Sequence, residues 1–413
     1  MFKDVFAASD EEVKIRSVKS TSTSIKPRFD SIDLLRGLVM VLMALDHVRD
    51  YFTNVRFDPL DLSQTTIQLF LTRWITHFCA PVFVFLAGTG AFLSLGRGKS
   101  KSDVAKFLLS RGLWLILLEF TLVRLGWTFG FDYSLLVGQI IWALGCSMVF
   151  LSFLIFLPFK ALAAFSIIMI LAHNFFDGVT PEQFGSLSWL WIILHNFDTI
   201  DLGDGYTFFS AYPLIPWIGV MAAGYCFGSL YNLETSKRKK FLFWLGTGMI
   251  AGFILLRLFD FYGDSNNWTA QKNFIFTLLD FIDTTKYPPS LLFLLMTVGP
   301  AILFLSLFEK IRVSNKLSNR SYSFFVLFGR VPLFYYLIHI PVIHLLAVLI
   351  ANATEINPEF MFGSYPFFWE TDWGYSLLAV YLVWAVVVIG LYPICHLYNN
   401  FKRKRKSKLL SYF

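Results

Sequence analysis

The chain has 413 residues, 56% of them hydrophobic and only 15% charged, where soluble domains carry about 25% charged residues. That composition excludes an ordinary soluble enzyme. The apolar runs continue almost to the C-terminus, so the length reads as one helical bundle rather than a string of domains. The formal net charge of +7 does not point to a nucleic-acid partner, because Lys and Arg cluster in short loops between apolar runs.

Residues 1–27 are polar and mixed in charge, show no secretory signal, and are expected to form a flexible cytoplasmic leader. Residues 28–400 are expected to be one transmembrane domain, and residues 401–413 a basic cytoplasmic tail. A spanning helix needs about 20 apolar residues. Ten runs qualify: 32–51, 76–95, 107–127, 135–158, 161–176, 212–231, 241–261, 289–307, 324–350 and 375–398. The ninth is too long for one simple span, and Pro332 and Pro341 are expected to break or bend it. A further membrane element over 187–195 would make eleven. The expected fold is all-α, a polytopic transmembrane helical bundle of about ten helices. Cys79, Cys146, Cys226 and Cys395 lie in or beside apolar runs with no CxxC spacing, and read as small core residues.

The loop charges orient this map. One set of loops carries Arg97, Lys99, Lys101 and Lys106, then Lys237 to Lys240, then Lys310, Arg312, Lys316 and Arg320, and the tail adds Lys402 to Lys406 and Lys408. The opposite loops carry acids, among them Asp58, Asp61, Asp132, Asp201, Asp204, Asp264 and Glu355. The alternation predicts that both termini are cytoplasmic. No internal repeat suggests an inverted-repeat transporter.

Ionisable residues inside apolar runs are costly, and by default are functional candidates. The first run holds Arg36 and, after a Met/Leu/Val stretch, Asp46, His47, Arg49 and Asp50. Eleven residues separate Arg36 from His47, close to three helical turns, so both share one face about 16 Å apart along the axis. Asp50, one turn beyond His47, is placed to approach it, and an imidazole beside a carboxylate is a usable general base. Taken alone, Arg36 could equally snorkel to headgroups and His47 bond a neighbouring helix. The combined set favours function. Arg73 and His77 lie one turn apart at the outer end of the second run, and Gly88 and Gly90 are expected to allow close helix packing. The ninth run places Arg330 in its cytoplasmic half and His339 deeper, while His344 reads as a helix contact. The outer histidines His47, His77, His173 and His195 show no HxxxH or HExxH spacing, so no metal site is expected.

Several blocks carry a family resemblance: Arg28-Phe-Asp-Ser-Ile-Asp-Leu-Leu-Arg-Gly through Asp46-His47, then Arg73-Trp-Ile-Thr-His-Phe-Cys-Ala-Pro-Val-Phe-Val-Phe-Leu-Ala-Gly, Tyr212-Pro-Leu-Ile-Pro-Trp-Ile-Gly, Lys286-Tyr-Pro-Pro-Ser and Gly329-Arg-Val-Pro-Leu-Phe-Tyr-Tyr-Leu-Ile-His. Together they resemble the heparan-α-glucosaminide N-acetyltransferase catalytic-domain family, in its bacterial branch. The Arg-to-His spacing of the first run is also similar to that of membrane acyltransferases that O-acylate sugars. The resemblance implies transfer of an acetyl or similar group from cytoplasmic acetyl-CoA, or another acyl-CoA, to an extracytoplasmic sugar or glycan. It implies an enzyme in the bacterial inner membrane, in contact with lipid, with homo-oligomerisation left open. Arg36 and Arg330 are expected at the phosphates, with His339 on the donor side. His47 is expected as base, oriented by Asp46 or Asp50. The lysosomal branch carries its working histidine in the loop after the first helix. Here the loop 52–72 has none, so His47 or His77 substitutes for it, or the chemistry differs. Trp189, Trp191 and Trp268 are candidates to cradle the sugar, or else interfacial anchors. The rival classes are a small-solute transporter or channel using the same buried Arg and His, and a non-catalytic relative.

Overall fold

The computed structural model describes residues 29–96, 98–309 and 319–405, together with 407, 410 and 412. The leader expected over 1–27, the Lys310, Arg312 and Lys316 cluster and part of the tail lie outside the described residues.

The chain is mostly helical. In order, the main helices are α1 (Asp30–Phe52), α2 (Ile67–Thr76), α3 (Cys79–Leu95), α4 (Lys101–Leu118), α5 (Arg124–Thr128), α6 (Ile140–Leu154), α7 (Phe159–Ala172), α8 (Ser188–Leu194), α9 (Leu214–Phe227), α10 (Thr235–Phe259), α11 (Phe274–Ile282), α12 (Leu291–Leu307), α13 (Asn319–Arg330), α14 (Pro332–Ala353) and α15 (Leu377–Lys404). Six helical stretches among the described residues are long and apolar enough to cross a membrane: 67–95, 159–176, 214–232, 235–259, 332–353 and 377–404. α6 and α12 are shorter apolar helices. Large apolar side chains such as Leu117, Phe153, Ile168, Trp244, Leu255, Leu349 and Ile389 stand exposed on the outside of the bundle. Such a surface would aggregate in water and is stable against lipid. The chain is an integral, multi-pass membrane protein.

Several sequence expectations are corrected in detail. The fold is not purely helical. A small sheet in the order β1–β3–β2 joins β1 (Leu135–Val137), β2 (Thr199–Gly203) and β3 (Tyr206–Phe209), with β1 parallel to β3 and β2 antiparallel to it. The fourth apolar run therefore begins as a strand, and its helix starts only at Ile140. The second run is two helices, α2 and α3, joined through His77 and Phe78. The third is one rod interrupted by a π turn over Glu119–Val123. In the ninth, Val331 leaves the helical region (φ −128°, ψ 45°) and Pro332 opens α14, where its missing N–H costs nothing. Pro341 stays inside α14. The element over 187–195 is the seven-residue α8, about 10 Å long and too short to span.

α1 lies at the centre, buried over most of its length and packed by α13, α14, α15, α3, α2 and α12. Its closest neighbour is α13, through Gly37 and Gly329. A Cβ on Gly37 would overlap the Phe325 carbonyl, and one on Gly329 would overlap that of Asp33. Gly88 packs in the same way against the Met221 carbonyl of α9, but Gly90 faces open space. Of the two glycines expected to pack helices, only Gly88 does.

Candidate active site

Two cavities flank α1. The larger, about 900 Å³, lies at the end of the bundle that carries the sheet and the acidic loops. Asp46, His47, Arg49, Asp50, Arg73 and Lys286 line its floor, with Trp127, Tyr287, Phe367 and Trp369 on its walls. The smaller, about 370 Å³, lies toward the start of α1 and is lined by Arg36, Met40 and Met43 of α1, Arg111 of α4 and Tyr336 of α14. The two chambers are separated by a thin layer. Consecutive residues Gln139 and Ile140 line opposite chambers, and Met43 and His47, one turn apart, do the same. In that layer the His47 ring packs edge-on to Trp127 (4.9 Å between centroids) and to Tyr336 (6.1 Å).

The floor of the larger chamber is a charge network. Asp46 accepts two hydrogen bonds from Arg73 Nη1, at 2.9 and 2.8 Å, and one from the Thr76 hydroxyl at 3.0 Å. It also pairs with Arg49 at 2.8 Å. Arg49 reaches on to Asp50 at 2.7 Å. The carboxylates expected to orient His47 are thus engaged with arginines. The hydrogen-bond partner of His47 is His339, whose Nε2 lies 2.7 Å from His47 Nδ1. His339 is expected from sequence on the donor side of the site, and the structure places it directly against the candidate base. Its Nδ1 donates to the Tyr335 carbonyl one turn back, at 2.9 Å.

His77 does not reach the chamber wall. It is 1% exposed, neither ring nitrogen has a hydrogen-bond partner among the described residues, and its ring lies against Phe293. Arg330 is drawn away from the smaller chamber. It pairs with Asp30 at 3.2 Å and approaches Asp33 at 3.8 Å. Arg36 lines that chamber while bonding Asp33 at 3.2 Å and the Gly329 carbonyl at 3.1 Å. Arg111 stands there with it. The signal for Arg111 was in the sequence, an arginine inside an apolar run. Lys286 opens the Lys286-Tyr-Pro-Pro-Ser block. It is 8% exposed and lines the larger chamber beside the Tyr287 ring.

The remaining candidates line neither chamber. His344 donates from Nδ1 to the Gly126 carbonyl at 3.3 Å and stacks on Phe129. His173 and His195 are tied to backbone carbonyls of Pro289 and His173. Trp191 and Trp268 bond backbone carbonyls of Val179 and Arg257. With Trp189 they lie outside both chambers, and the indoles in the larger one are Trp127 and Trp369. Among the described residues no cluster of three or more His, Cys, Asp or Glu could hold a metal ion.

The family named heparan-alpha-glucosaminide N-acetyltransferase, catalytic, matches residues 28–257, which carry Arg36, Asp46, His47, Arg73 and Arg111. The chain belongs to this family. It is a family of membrane acetyltransferase type, and the match spans α1 through most of α10, more than half of the chain. Among curated proteins none matches the chain. The matched region ends before Lys286, Arg330 and His339, so it covers Arg36, Arg73, Arg111 and His47 but neither Arg330 nor the α14 residues packed against His47.

Proposed function

We propose that the protein is a membrane acyltransferase that moves an acetyl or similar acyl group from cytoplasmic acyl-CoA to an extracytoplasmic sugar or glycan. The supporting observation is the pair of chambers on one helix, meeting at His47. On this reading about ten helices cross the membrane, both termini face the cytoplasm, and the membrane is a bacterial inner membrane. The smaller chamber faces the cytoplasm. It is too small for a whole acyl-CoA and takes the acyl-pantetheine arm, while Arg36, Arg111 and the basic rim attract the phosphates. The larger chamber takes the acceptor, and Lys286 and the indoles offer it charge and flat apolar faces.

The chemistry follows from the placement of His47. Its free ring nitrogen takes the proton of an acceptor hydroxyl or amine. The acceptor oxygen or nitrogen attacks the thioester carbonyl, and the C–S bond breaks. The proton passes from His47 to the departing thiolate, giving CoA-SH and the acylated acceptor. Holding both substrates against one base supplies the orientation that solution lacks.

The test is CoA release and sugar labelling by the purified protein given labelled acetyl-CoA and a panel of sugars. His47→Ala should lower turnover by about 100-fold or more. The absence of acetyl-CoA binding and turnover with every acceptor would sink the reading. Solute flux in proteoliposomes lacking CoA would replace it with the transporter class.

A further inference from the structure

The contact between the two imidazoles fixes more than position. The Tyr335 carbonyl can only accept, so His339 Nδ1, at 2.9 Å, carries the proton. In a neutral ring His339 Nε2 is then a lone pair. His47 Nδ1, at 2.7 Å from it, must be the donor. The proton of a neutral His47 therefore sits on Nδ1, and its Nε2 is the basic nitrogen. Among the described residues nothing bonds that Nε2, and His47 lines the larger chamber.

We infer that His339 is the positioning residue for His47: by accepting from Nδ1–H it selects the tautomer that leaves Nε2 free as the base. The inference rests on the acyltransfer reading for its catalytic meaning, though the tautomer itself does not. Selecting a tautomer through the second ring nitrogen is a general device, more often performed by a carboxylate or a backbone carbonyl. A neutral acceptor does the orienting here, because Asp46 and Asp50 are occupied by Arg73 and Arg49. The placement is rigid. His339 is fully buried on α14, its ring is stacked on Tyr335 at 5.0 Å, and the two imidazoles are within 19° of parallel. The relay is a single file from the Tyr335 carbonyl through His339 to His47, with no titrating carboxylate in it.

The test uses the full-length protein in detergent or nanodiscs, labelled with ¹⁵N-histidine. The His47 ring signals are assigned by their loss in His47→Ala. The expected result is a proton on Nδ1 in the wild type. His339→Gln keeps an acceptor at that point through its side-chain oxygen and should hold the proton on Nδ1. His339→Leu removes the acceptor and should move the proton largely to Nε2. A wild-type His47 protonated on Nε2, or a tautomer unchanged in His339→Leu, overturns the inference whether or not the protein transfers acyl groups. In the acetyl-CoA assay His339→Leu should lower kcat by about 10-fold or more, with KM for acetyl-CoA little changed, and His339→Gln should recover most of that loss. Equal losses in both variants would also overturn it. Turnover absent from the wild type, with the tautomer as expected, would strike the acyltransferase reading and leave the tautomer assignment standing.

Discussion

At the residue scale, Asp46 shows how a side chain flagged for one role serves another. Its oxygens hold Arg73, Arg49 and Thr76 together across α1 and α2. Asp46→Ala leaves Arg73 without its counter-charge and Arg49 with Asp50 alone, and should cost about 3 kcal/mol of stability, read as a fall in melting temperature in detergent. Adding Arg73→Ala should recover part of that loss. His195 makes a second prediction. Burial first, then the neighbouring His173, pushes its pKa down to about 4, and its Nε2–H donates to the His173 carbonyl at 3.1 Å. The unfolded chain binds this proton near pH 6.5 and the folded chain only near 4, so stability is full above about 6.5 and falls as the pH drops toward 4. Between pH 7 and pH 5 the loss should be about 1–2 kcal/mol, and His195→Gln should flatten the pH dependence of the melting temperature. The cost of burying charge made Arg36, Asp46 and His47 legible in the sequence. Their pairings were not, since Arg73 lies 27 residues from Asp46 and His339 lies 292 from His47. No helical spacing spans such distances.

At the scale of elements, apolar length located the helices well, and local backbone chemistry explains the exceptions. Pro332 at the start of α14 converts one long run into two helices. The strand β1 was hidden because Leu135–Val137 is as apolar as the helix after it, and a short apolar run has no period of its own. Two glycine substitutions should separate packing from shape. Gly329→Ala places a Cβ on the Asp33 carbonyl, so it should push α13 off α1, cost about 1–3 kcal/mol and disturb the Arg36 contact to the Gly329 carbonyl. Gly90→Ala meets nothing within 4 Å and should leave the melting temperature unchanged, although Gly90 lines the smaller chamber. A fall of the same size in both variants would contradict this account of the α1–α13 contact.

At the scale of the molecule, the alternation of basic and acidic loops predicts an orientation that labelling can check. In a background lacking the four native cysteines, Ser236→Cys, at the start of α10, should react with an impermeant thiol reagent only from the cytoplasmic side. Asp204→Cys, at the tip of the β2–β3 hairpin, should react only from the outside. Reaction of both from one side would overturn the topology. The thin layer of His47, Trp127 and Tyr336 between the chambers has an electrical consequence as well. If each chamber is wet and continuous with its own compartment, nearly all of the transmembrane voltage falls across that one layer. On the acyltransfer reading, a proton carried from an outer acceptor to an inner thiolate would cross the whole of this drop, about 2.3 kcal/mol for each 100 mV. Energisation of the membrane would then act directly on turnover, favouring inward proton movement when the cytoplasm is negative, and the same three side chains would serve as insulation for the cell.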